Sequence, residues 1–151
     1  MKRILCLLVL MGLAGCTTAQ IPTYLQDKNP YVKRVYASHE VVLDAVTQTL
    51  EDLGWTIEGT AHPSVYEQEE EAEEQEEQKL LIFTGIRQTP MFLGTRYAKM
   101  NVILRSQGEV SDIEIRYLTV TSVFFKNIKT YHNDSAVERI FGCIEKILNK
   151  E

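Results

Sequence analysis

Three histidines, three cysteines and 21 carboxylates are the side chains from which this 151-residue chain could build chemistry. A zinc centre takes three or four ligands at fixed spacings. His39, His62 and His132 have only local acidic neighbours such as Glu40 and Asp134, so no metal is expected. Cys143 falls beside Ile140, Ile144 and Ile147, where a free thiol serves as a small hydrophobe. There is no Gly-x-Ser-x-Gly elbow for a serine nucleophile, and the eight glycines stand singly rather than in a phosphate-cradling loop. Acids outside one glutamate tract sit on helix exteriors, strand exteriors or turns, so no acid/base pair can be nominated. Neither catalysis nor a cofactor is expected. The remaining chemistry is covalent modification at Cys16, which closes the stretch Leu13, Ala14, Gly15, Cys16.

Ahead of that stretch come Lys2 and Arg3, then an apolar run over 4–14. A basic end, an apolar middle and small residues make an export signal. A helix of about 11 residues rises only ~16 Å, too short for a bilayer core of ~30 Å. Leu13, Ala14 and Gly15 before Cys16 resemble the lipobox of bacterial lipoproteins. The resemblance implies signal-peptidase cleavage before Cys16 and acylation of its thiol and new amino group, palmitate included. One acyl chain anchors marginally, whereas two or more hold. Thr17 follows the cysteine where aspartate would favour the inner membrane, so the resemblance implies the periplasmic face of the outer membrane.

Cleavage would leave 136 of the 151 residues, enough for one domain. An apolar share of 44% supports a real core. Cys6 leaves with the signal and Cys16 is acylated, so Cys143 has no internal disulfide partner. The net charge of −5 becomes −7 without Lys2 and Arg3, but eight of the acids lie in 67–77. Without that tract, 14 basic residues face 13 acidic ones. The balance is not that of a nucleic-acid binder, and none is expected as a partner.

These residues need elements to position them. The polar stretch 17–30, with Pro22 and Pro30, is expected to be a flexible tether reaching at most about 50 Å. Residues 32–36 read as a short strand. Ser38 is the expected N-cap of a helix with Glu40 in its first turn, Val42, Val46, Leu50 and Leu53 on one side, and Gly54 as terminator. Residues 55–58 alternate as a strand ending near Gly59. A disordered acidic insert is expected at about 61–78, because glutamates one helical turn apart repel. It is either a tolerated insertion or an acidic arm for cations or a basic partner. Residues 80–86 read as a strand and 88–94 as a turn around Pro90. Ala98, Met100, Val102 and Leu104 alternate in a strand, and Gly108 marks the next turn. Ile113, Ile115 and Tyr117 alternate before the phase slips to Leu118 and Val120, which predicts a bulge or an edge twist. Residues 124–132 read as a loop or frayed strand end. Ser135 and Glu138 fit a capping box for a closing helix lined by Val137, Ile140, Phe141, Ile144, Ile147 and Leu148.

Short turns imply an antiparallel sheet, and two one-sided helices must cover one face. The expected fold is α+β, about four strands with two helices packed on one face. This element order, with the passage Leu50, Glu51, Asp52, Leu53, Gly54, Trp55, Thr56, Ile57, resembles the helix-grip domains of BamC-like envelope lipoproteins over roughly 31–150. The acidic insert departs from that family. The expected role is a non-enzymatic binding or scaffold module, held at the membrane by the lipid on Cys16 and meeting an envelope protein partner. The alternative is a carrier of a small hydrophobic ligand such as a lipid, although Trp55, Phe83, Met100 and Phe141 are expected to fill the interior. Two apolar turns, Met91, Phe92 and Leu93, and Phe124 and Phe125, are the candidate contact surface; they would either insert into a partner or the membrane interface, or fold back over the sheet.

Overall fold

A computed structural model of the chain describes residues 19–67, 77–123 and 126–150. The expected acylation stretch Leu13, Ala14, Gly15 and Cys16, the middle of the acidic tract (68–76), and Phe124 and Phe125 lie outside the described residues. In chain order come β1 (Tyr31–Val35), α1 (His39–Asp52), β2 (Ile57–Ala61), a 3-10 turn (Pro63–Val65), β3 (Gln78–Thr84), β4 (Arg87–Met91), β5 (Gly94–Gln107), β6 (Val110–Val123), β7 (Lys126–Thr130) and α2 (Asp134–Leu148).

The long β5 and β6 form the spine, paired without a break from Gly94–Val123 to Gln107–Val110. Along β6, β1 pairs with one half and β7 with the other; along β5, β3 and β4 divide the length in the same way, and β2 lies outside β3. All seven strands are antiparallel. The α+β class and the paired helices are as expected, but the sheet is larger than four strands. Beyond the five segments that read as strands, the sheet gains β4, where a turn was expected, and β7, where a loop or a frayed strand end was expected. β4 is exposed throughout and β7 nearly so, so neither carries the one-sided apolar alternation by which a strand is read.

Both helices lie on one face. Val42, Val46 and Leu50 of α1, with Ile140 and Ile144 of α2, meet Met100, Val102, Leu104, Ile113 and Ile115 of the sheet in one buried cluster. Each such side chain contributes about 1.5–3 kcal/mol by leaving water. Gly54, at φ 74°, ends α1 in the left-handed conformation. The cap of α2 is Asn133, whose side chain accepts from the Ala136 N–H at 3.3 Å, in place of Ser135. Ser38 does precede α1, but its side chain makes no capping bond.

The phase slip in β6 is not a bulge, since the β5–β6 register runs through it. Leu118 and Val120 are apolar because the opposite face of the sheet is also covered. Ala19, Ile21 and Leu25 pack on Leu118, Val120 and Tyr97, and Leu25 is buried. The expected tether is therefore corrected: from Ala19 onward it is a strap laid on the sheet. Its polar appearance misled because one buried leucine seats it. Phe83 likewise packs on this face, with Leu81, Ile103 and Tyr24, rather than under the helices.

Candidate functional site

Beyond the helices, the sheet continues as a four-stranded overhang of β4, β7 and the facing ends of β5 and β6. At its end, Phe92 is fully exposed, with Met91 41% and Leu93 53% exposed beside it. These residues do not fold back over the sheet. Gly94 makes the tip narrow: a Cβ there would lie 2.0 Å from the Ser122 carbonyl oxygen, so the backbones approach as only glycine allows. Val123 pairs with both Gly94 and Lys126, which puts the β6–β7 connection at the same end as the β4–β5 turn.

No aspartate or glutamate occurs in 78–108 or 115–133, the segments that build this overhang. Register places Arg87, Arg96, Lys126 and Ile128 on the helix-bearing face of the overhang and Lys129 on the other. Arg87 is exposed, yet its guanidinium donates to the Leu53 carbonyl at 3.0 Å and lies 4.9 Å over the Trp55 ring, bracing the overhang against the end of α1. The tip is thus an apolar point with a basic collar.

The strap is held by a second arrangement, which sequence reasoning missed. Asn101, wholly buried on β5, accepts from the Leu25 N–H at 2.6 Å and donates to the Thr23 carbonyl at 3.3 Å. Beside it, two arginines and two glutamates close a neutral ring. Glu114 takes Arg105 at 2.5 Å and Arg116 at 2.6 Å, while Glu67 takes Arg116 at 2.5 Å and Arg105 at 3.4 Å. Arg116 donates to the Tyr24 hydroxyl, which donates in turn to Glu67. Tyr24 also stacks on Tyr66 with ring centres 5.0 Å apart. Burial and the bond to Glu67 push the Tyr24 hydroxyl up to about 12. Burial alone would raise Glu67, but the bonds from Tyr24 and Arg116 and the charges of Arg116 and Arg105 hold its carboxyl below the usual range.

The expectation of disorder over 61–78 is corrected at both ends of that stretch. Ala61 belongs to β2, Pro63 is buried, Tyr66 and Glu67 are fastened to the sheet, Glu77 pairs with Lys79 at 3.2 Å, and Gln78 opens β3. Of 61–78, the part outside the described residues is 68–76. The available signal for the ring was the pair of arginines interrupting apolar alternation in β5 and β6. On a strand with one dry face they read as solvent-facing; with both faces covered, they need partners.

The histidines stay apart. His62 caps the 3-10 turn, and His132 approaches Tyr31 at 3.3 Å. His39 Nδ1 lies 3.0 Å from Ser106 Oγ, which is 2.8 Å from Ser111 Oγ, itself 2.9 Å from the Ala37 carbonyl. That carbonyl can only accept, so Ser111 donates to it and takes the Ser106 proton. With the protons so arranged, His39 Nδ1 donates to Ser106. Ser106 is also buried. The chain of bonds ties the start of α1 to the β5–β6 turn. Cys143 is half-buried on α2. Among the described residues, no three of His, Cys, Asp and Glu gather as metal ligands, and no helix is long and apolar enough to cross a membrane.

No protein-family model matches the chain, and the search of curated proteins finds no match either.

Proposed function

We propose that the chain is a lipid-anchored cell-envelope protein, a non-enzymatic binding or scaffold module whose contact surface is the hairpin tip Met91, Phe92 and Leu93. The observation that carries this reading is the tip itself. A fully exposed phenylalanine stands between two half-exposed apolar residues. The anchoring half rests on Leu13, Ala14, Gly15 and Cys16. By the lipoprotein resemblance, the module sits at the periplasmic face of the outer membrane. The ligand-carrier alternative has less support, since Trp55, Met100, Tyr117 and Phe141 occupy the space between sheet and helices.

The test is made in cells. The mature protein should begin at residue 16, carry an alkyne-palmitate label and stay with membranes in high salt. A photo-crosslinking residue at position 92 should give a defined adduct there. A mature start elsewhere, or release by salt, would overturn the anchor. Absence of any adduct would overturn the contact surface.

A further inference from the structure

We propose that the hairpin tip docks on an anionic phospholipid surface, the same one that would hold the lipid on Cys16. This deepens the reading of the tip as contact surface, and rests on the anchor only for orientation. Three observations converge. The point is apolar, with Phe92 entirely in solvent. Its collar is cationic, with Arg96, Lys126 and Lys129 on strands whose segments contain no acid, although the whole chain has a net charge of −5.

The third observation is where the strap begins. Ala19 and Ile21 pack on the cluster of Leu25, Leu118 and Val120 together with Tyr97. The Tyr97–Val120 pair lies three residue pairs from the Gly94–Val123 end. Ala19 and Ile21, the first apolar residues of the described chain, thus lie on the half of the sheet that carries the tip. From Cys16 to Ala19 is three residues, at most about 11 Å when fully extended. An acylated Cys16 would hold the overhang against the bilayer rather than let the domain range tens of ångströms away. An apolar point inside a ring of cations then meets acyl chains and phosphates at the depths where each is favoured.

A protein groove is the competing occupant. It accounts for the apolar point but gives no reason for the basic collar or for the strap starting beside it.

The probe is a chain from residue 16 with Cys16→Ser, which is not acylated and retains every described residue. It is mixed at low ionic strength with vesicles of phosphatidylcholine alone or with added phosphatidylglycerol. Binding should require the anionic lipid and weaken with salt. Arg96→Gln and Lys126→Gln should each weaken it roughly fivefold, the effect of about one surface cation. Phe92→Ser should weaken it by about tenfold with the unfolding midpoint unchanged, and a Phe92→Trp reporter should shift to the blue on anionic vesicles only. Equal binding to both vesicles, no binding to either, or full binding by Phe92→Ser would overturn the proposal. So would a position-92 crosslink in cells that goes to one protein and never to lipid. Because this probe carries no acyl group, failure of the Cys16 anchor would leave the result standing, and failure of docking would leave the anchor standing.

Discussion

On one face of the β5–β6 spine, the inward positions Met100, Val102, Leu104, Ile113 and Ile115 are all apolar and two helices cover them. On the other face, alternate residues of the same strands are Asn101, Ile103, Arg105, Glu114, Arg116 and Leu118, and most are just as buried. Their cover is a strap without regular structure and the start of the acidic tract. The first face is sealed by area, which is non-directional and tolerates exchange of one hydrophobe for another. The second is sealed by partners. Asn101, Arg116 and Glu67 each hold a particular atom of the strap or insert, and losing one member leaves another buried and unmatched.

The largest effect expected from this difference comes from emptying the apolar face. Ile115→Ala, at a position with no exposed surface, should cost about 3–4 kcal/mol and lower stability of the whole domain in urea unfolding. A loss under about 1 kcal/mol would mean that the helix side is not what holds the fold.

The second face should respond less, and in a way that area cannot imitate. Arg116→Met removes one of the two arginines that Glu114 and Glu67 share, leaving two carboxylates to Arg105 alone, and should cost roughly 3 kcal/mol, since the ring then holds an unmatched buried charge. Adding Glu114→Leu to Arg116→Met should recover a large part of that loss, because well-packed apolar groups replace buried pairs at little cost. Urea unfolding of both variants checks the pair; additive losses would show that the ring is ordinary packing.

These two faces also divide what could be read in the sequence from what could not. The stripes Val42, Val46, Leu50 and Val137, Ile140, Ile144 announce the helices, and Ala98 to Leu104 announces β5, because each repeats one apolar period against a single core. The strap carries no period, and Leu25 is the one fully buried side chain in its described part. Without that cover, Arg105 and Arg116 look like solvent positions, and the shift from Tyr117 to Leu118 looks like a bulge instead of a strand dry on both sides. β4 and β7 escaped because an overhang with neither face well buried imposes no pattern. The apolar tip was legible for the opposite reason, since Met91, Phe92 and Leu93 break the rule that turns are polar. Whether they folded back required the backbone.

The smallest effect is also the most diagnostic of how the second face is held. The Glu67 carboxyl is held below its ordinary value in the folded protein. As pH falls, the unfolded chain takes up that proton first, so acid favours unfolding through this group. The stability it contributes is complete above the ordinary glutamate value of about 4.3 and is lost as pH drops through the lower folded value. Glu67→Gln removes that dependence while keeping a side chain of the same shape. At neutral pH the variant should be less stable by about 1 kcal/mol, a modest figure because the Glu67 side chain is 22% exposed and solvent screens it. Below that window, the urea midpoints of the two proteins should converge. Asp112, held low chiefly by the Arg34 hydrogen bond, titrates alike in both proteins and cancels from the difference. If the gap instead stays constant into acid, the second face is held by the shape of the Glu67 side chain and the ring contributes no charge-dependent latch.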